Sequence, residues 1–210
     1  MADLIRGLSA EKICENLARV REDVGPDVEI LTAVKYVATE ELAVLAEAGV
    51  RLVGENRAQA LAEKQEASPE LFTWDFIGHL QSRKVKDVLP RVRYLHSVST
   101  DSVLEQLRAH ATPDTQVLIE VNVAGDPAKS GVAPSELDTF IARCPVTVAG
   151  LMTMPPLAQR AEDSRRWFAA LAALAAERGL AELSMGTTQD YVVAAEEGAT
   201  IVRIGSRLLL

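Results

Sequence analysis

The chain has 210 residues, 48% of them hydrophobic, which fits one domain with a substantial buried core. A formal net charge of -8, with 30 acidic against 22 basic residues and no dominant basic run, argues against a dedicated nucleic-acid binder. Two cysteines, Cys14 and Cys144, and three scattered histidines fit no disulfide framework and no zinc-ligand spacing, so a reducing cytoplasm and no metal are expected.

The first element expected is an amphipathic helix over residues 3–22, with Leu4, Ile5, Leu8, Ile13, Leu17 and Val20 on one stripe. Its acidic residues argue against a signal or transit peptide, and no apolar run approaches bilayer length, so a membrane partner is not expected. Eight short β-rich runs follow: 28–34, 50–54, 73–78, 92–98, 116–122, 146–152, 182–186 and 200–205. Helical stretches lie between them, such as TEELAVLAEAG, RAQALAEKQEA, TDSVLEQLRAHA and TQDYVVAAEEG, most closing near a glycine or a turn residue. Repeated βα units demand a parallel sheet, because each helix returns the chain to start the next strand in the same direction. Eight of them favour a closed (β/α)8 TIM-type barrel with an extra N-terminal helix over a doubly wound open sheet.

In such a barrel the ligand site lies at the carboxyl ends of the strands. Lys35 ends the first β run, in EILTAVKYV. An amine held partly out of water loses some preference for the ammonium form and becomes a nucleophile for an aldehyde. The alternatives are a snorkelling side chain or a pair with Glu55. In SMGTTQDYVVAAEEG, Thr187 suits a helix N-cap with Asp190 in the capping-box position, so a helix is expected from Thr188 with free N–H groups that suit a phosphate. An ordinary capped helix is the other reading. In TIVRIGSRLL, Gly205 permits close backbone approach, Ser206 adds a hydroxyl donor, and Arg203 shares the side of the strand with Gly205 or pairs with Glu120. Lys84, Lys86 and Lys129 read as solvated residues, with Lys84 or Lys129 the candidates for a second aldehyde site. His79 and His96 show no evident partner in the sequence.

The segments AVKYV, GENRAQ, WDFIGHLQSRKVK, HSVST, VLIEVNVAGDPAKSG, GLMTM, LSMGTTQD and GATIVRIGSR, in that order, resemble the pyridoxal-phosphate homeostasis protein family, whose fold is similar to the barrel domain of alanine racemase. The likeness runs over about residues 28–207. It implies one alanine-racemase-like barrel domain over 1–210, with pyridoxal 5'-phosphate held as a Schiff base on Lys35. By the same resemblance Thr188, Gly205 and Ser206 hold the phosphate, Arg203 faces the pyridine nitrogen and Asn56 lies beside the cofactor. Asn56 also suits a helix cap, with Gln59 three residues on.

The implied role is a monomeric, non-catalytic protein that carries, buffers or delivers the cofactor, with apo forms of pyridoxal-phosphate enzymes as recipients. The rivals are a racemase-like enzyme of low activity and a Schiff-base aldolase. The chain departs from the family's usual pattern at Asp75, where a histidine is usual before FIG, at Arg83, and at Gly186–Thr187–Thr188, where GMS is usual. Threonine keeps the hydroxyl donor of serine and adds a methyl.

Overall fold

A computed structural model describes residues 4–210 and shows eight parallel strands closed into a barrel in sequence order. The strands are β1 (Glu29–Ala33), β2 (Leu52–Glu55), β3 (Thr73–Phe76), β4 (Tyr94–Val98), β5 (Gln116–Glu120), β6 (Thr147–Met152), β7 (Glu182–Thr187) and β8 (Ile201–Ile204). Closure comes from β1 pairing with β8, with Glu29 opposite Ile201 and Thr32 opposite Ile204. The helices are α1 (Ala10–Val24), α2 (Leu42–Glu47), α3 (Ala58–Ala67), α4 (Val85–Val88), α5 (Asp101–His110), α6 (Leu137–Arg143), α7 (Arg165–Ala176), α8 (Tyr191–Glu196) and α9 (Ser206–Leu209). None of the described helices is long and apolar enough to cross a membrane.

Side-chain alternation splits the apolar residues into two sets. The larger lies between strands and helices and includes Ile30, Val53, Leu95, Ile119 and Val202. The smaller, Leu31, Leu52, Leu118, Met152 and Ile201, fills the barrel interior. Above that plug the interior turns polar: Asp75, His96, Ser184 and Arg203 are all buried there. An irregularity between Val117 and Leu118 in the β5–β6 register leaves Ala149 unpaired and brings Met152 into the inner set.

The N-terminal helix is shorter than its apolar spacing suggests. It starts at Ala10, with the Ser9 hydroxyl accepting the Lys12 N–H at 3.3 Å. Of the expected span, residue 3 lies outside the described residues, and residues 4–9 are not helical because tertiary contacts claim their backbone. Ile5 donates its N–H to the Tyr36 carbonyl at 2.7 Å and accepts from Ala38, while the Glu41 carboxylate accepts the N–H groups of Gly7 and Leu8 at 2.8 and 3.0 Å. The same contacts tie down the turn that follows Lys35.

Gly150 is the tightest point of the β6–β7 seam, where an added Cβ would overlap the carbonyl of Glu182. Only glycine lets the two strands meet at that distance. Gly150→Ala is expected to cost about 1 to 3 kcal/mol, as overpacking does. Urea unfolding checks this as a lower midpoint at unchanged slope.

Candidate functional site

The carboxyl ends of β7, β8, β1 and β2 are consecutive around the closed barrel, and they carry the six residues that the family resemblance assigns to the cofactor. Lys35 leaves the end of β1, Asn56 follows β2, Thr188 follows β7, and Arg203, Gly205 and Ser206 lie at the end of β8. β1 and β8 touch at this level: a Cβ on Gly205 would sit 3.8 Å from the Cβ of Ala33. Lys35 and Ser206 therefore belong to one rim. The half-buried Lys35 amine takes part in no hydrogen bond or ion pair among the described residues and sits 5.0 Å from the Tyr36 ring centroid.

Glu55 is not the partner of Lys35. It is wholly buried and takes the Lys64 ammonium at 2.6 Å, while its other oxygen accepts the N–H groups of Asn56 and Arg57 at 2.6 and 3.2 Å. Lys64 also donates to the Val34 carbonyl at 2.5 Å, immediately before Lys35. One buried pair thus ties α3 to β2 and to the end of β1, satisfying charges that would be costly alone. It also takes the capping role from Asn56. The cap position of α3 is Arg57, and the Asn56 Oδ1 is buried without a hydrogen-bond partner. A buried orphan acceptor is costly unless something supplies a donor.

The β7 end corrects the expected helix start. α8 begins at Tyr191, with Asp190 rather than Thr187 in the cap position. The Asp190 carboxylate folds back to accept the Thr187 N–H at 2.8 Å and the hydroxyls of Thr187 and Ser164 at 3.2 and 2.9 Å. This closes a turn over residues 187–190 and leaves no helical N–H row at Thr188. Gly186 supports the turn at φ 86, where a Cβ would press on Ala194. Thr188 still reaches the β8 end: its hydroxyl accepts the Gly205 N–H at 3.3 Å. The Ser206 hydroxyl is exposed and makes no hydrogen bond among the described residues.

Arg203 is only 6% exposed and is not paired with Glu120, whose carboxylate instead accepts the Ser130 hydroxyl at 2.6 Å. Its guanidinium donates to the Ser184 hydroxyl oxygen, to the Thr153 carbonyl at 2.9 Å and to the Met154 sulfur. Burial pushes its pKa down to about 10, and the charges of Asp190 and Glu120 offset this only in part. A buried cation without a bonded carboxylate is a ready partner for an acceptor on a ligand. A cavity of about 100 Å³, lined by Arg203, Thr153, Gly186, Thr187 and Lys129, opens beside it. Lys84 lies elsewhere, near Asp87 at 3.4 Å.

Behind Arg203 the sequence reading missed a buried polar chain. His96 is not partnerless: its Nδ1 lies 2.8 Å from the Ser184 hydroxyl and its Nε2 lies 3.0 Å from Asp75. Arg93 donates to both Asp75 oxygens, at 3.1 and 2.8 Å, and to Glu29 at 2.8 and 2.9 Å. Burial opposes the Asp75 charge, but the hydrogen bonds and charges of His96 and Arg93 outweigh it and hold the carboxyl below its ordinary value. Burial pushes the His96 imidazole below its ordinary value despite the pull of Asp75. Strand alternation was the available signal, since these polar residues share the inward phase with Leu31 and Ile201.

Comparison with known proteins places these features in a family context. A family model described as alanine racemase, N-terminal domain, matches residues 8–209. The pyridoxal phosphate homeostasis protein of Aquifex aeolicus is 38% identical over 219 residues, covering 93% of this chain and 96% of the relative. That of Pseudomonas aeruginosa is 35% identical, covering 95% and 94%. Among solved structures, PipY of Synechococcus elongatus without PLP superposes with a TM-score of 0.85 at 31% identity, covering 94% of this chain and all of that one. The same protein with PLP bound gives 0.82 at 29% identity and the same coverage. Alanine racemase from Corynebacterium glutamicum, at 17% identity and a TM-score of 0.75 over 96% of this chain and 60% of that one, shares the fold.

The depressed His96 value predicts the sign of one pH effect. In the unfolded chain the imidazole takes a proton near 6.5, whereas the folded protein resists it, so stability falls as pH drops through that value. The fall levels off below the folded-state value. The slope from this one group is at most about 1.4 kcal/mol per pH unit. Denaturant melts of wild type and His96→Gln between about pH 7.5 and 5 should diverge by this component, and parallel profiles would contradict it.

Proposed function

We infer the function from one premise: the chain belongs to the alanine racemase N-terminal-domain family and, within it, to the pyridoxal phosphate homeostasis proteins. On that premise the chain binds pyridoxal 5'-phosphate and carries, buffers or delivers it to apo forms of enzymes that use it. The observation that carries this reading is the shared rim on which the Lys35 amine makes no hydrogen bond or ion pair among the described residues, while Arg203, Gly205 and Ser206 stand one strand away at β8 and Thr188 two strands away at β7. The cofactor supplies an aldehyde, which a lysine amine captures reversibly as a Schiff base.

The residues of the chain fit that group. Lys35 is the amine, held at the end of β1 by the Lys64 contact to the Val34 carbonyl. The Ser206 hydroxyl is free to donate to phosphate, and the Thr188 hydroxyl, whose oxygen already accepts the Gly205 N–H, retains its proton for the same purpose. Arg203 presents donors only, so a ring nitrogen beside it stays unprotonated and the ring is a weak electron sink. That favours holding and releasing the cofactor over turning substrates over. The Asn56 Oδ1, buried and unpartnered, is an acceptor for a ligand hydroxyl at the same rim.

Adding pyridoxal phosphate to the purified protein is expected to produce a new absorbance band, and borohydride reduction is expected to leave the label on Lys35. A colourless protein indifferent to the added cofactor would overturn the reading. Lys35→Ala should abolish borohydride trapping and change unliganded stability by no more than about 0.5 kcal/mol, since the amine contributes no core volume.

Thr188→Ala combined with Ser206→Ala should weaken retention by about 1 to 3 kcal/mol for each charge-assisted hydrogen bond lost. Equilibrium titration measures this. Equal affinity of wild type for pyridoxal phosphate and unphosphorylated pyridoxal would remove the phosphate site from the reading.

A further inference from the structure

The polar chain behind Arg203 fixes more than packing, because its members differ in what they can donate. Arg203 has donors only, so its contact with Ser184 must use a lone pair of the hydroxyl oxygen. An ionised Asp75 has acceptors only, so the His96 nitrogen 3.0 Å from it must carry a proton. That nitrogen is Nε2. In a neutral imidazole Nδ1 is then bare, and the one proton of Ser184 is left to fill it across 2.8 Å. With this arrangement each contact along Arg203, Ser184, His96 and Asp75 pairs one donor with one acceptor. The opposite tautomer sets a bare Nε2 against the Asp75 carboxylate and two donors against one Ser184 oxygen.

We propose that His96 is a positioning residue for Arg203: oriented by Asp75 as the Nε2–H tautomer, its bare Nδ1 accepts the hydrogen bond of the Ser184 hydroxyl and so turns the Ser184 lone pairs toward the guanidinium, aiming Arg203 at the rim. The arrangement extends to the opposite end of the barrel, since Arg93 holds both Asp75 oxygens and is itself held by Glu29. Thr153 supplies the second fixed point through its carbonyl. All four members from Asp75 to Arg203 are buried, so water does not offer replacement bonds. The role deepens the cofactor reading and rests on it, because the target of Arg203 is there a ring nitrogen.

Two measurements test the proposal. The first needs no ligand: nitrogen NMR of the protein labelled on its three histidines, with His96→Gln identifying the signal. His96 is expected to be neutral and protonated at Nε2 near pH 7, and its Nδ1 resonance should move in Ser184→Ala. A cationic or Nδ1–H imidazole would overturn the assignment. The second compares binding of pyridoxal phosphate with that of its analogue carrying C–H in place of the ring nitrogen. Wild type should prefer the natural cofactor about tenfold or more, the scale of one hydrogen bond to a charged group. Ser184→Ala and His96→Gln should erase most of that preference while leaving intact the preference over unphosphorylated pyridoxal, which a general loss of structure would also reduce. Undiminished discrimination in both variants would overturn the positioning role. Wild type that binds the cofactor without discriminating would remove the Arg203 contact and the positioning role together. Wild type without affinity for pyridoxal phosphate would overturn the cofactor reading and this role with it, even if the tautomer is as assigned.

Discussion

The pairing of β1 with β8, from Glu29 opposite Ile201 to Thr32 opposite Ile204, closes the sheet and sets the end of the first strand beside the end of the last. Everything at the rim depends on that closure. Lys35 comes early in the chain and Ser206 near its far end, and no local propensity brings them together. Parallel strands do so because each βα unit delivers its strand end to the same face, and the barrel turns the first and last units into neighbours. An open sheet built from the same units would leave β1 and β8 unpaired.

Two buried ionic arrangements stiffen this rim from below. The Glu55–Lys64 pair joins α3, β2 and the carbonyl before Lys35, and it satisfies two backbone N–H groups on the way. The Asp75–Arg93 pair anchors the imidazole that faces Ser184 and, through it, Arg203. Both carboxylates are wholly buried, and each accepts more than one donor, the condition under which a buried charge is tolerated. The Lys35 amine and the Ser206 hydroxyl are left without a hydrogen bond or ion pair among the described residues. Fixed supports with free tips are what the proposed cofactor site requires.

The places where local sequence rules and the structure part company are all tertiary. Apolar spacing carried the first helix back to residue 3, yet Ile5 is drawn into a parallel bridge with Val37 and the helix waits for Ser9. Thr187 and Asp190 have capping-box spacing, and one of the two bonds of such a box forms, with the Asp190 carboxylate accepting the Thr187 N–H. The chain between them closes a turn instead of a helix, because Asp190 is also engaged by Ser164 from the preceding βα unit. Asn56 had the composition of a cap, but the buried Glu55 carboxylate reached the free N–H groups first.

What the sequence determined by itself was the order and kind of the elements: eight apolar β runs alternating with helical stretches dictate a parallel sheet, and the residues ending those runs named the rim. Periodicity is a local property, so it survives in one dimension. Partner choice is not local. Asp75, His96 and Ser184 are separated by 21 and 88 positions, and Glu55, weighed from the sequence as a partner of Lys35, pairs with Lys64. Only the closed barrel, by setting inward-facing positions of different strands within hydrogen-bond distance in its buried interior, decided which polar groups must satisfy one another.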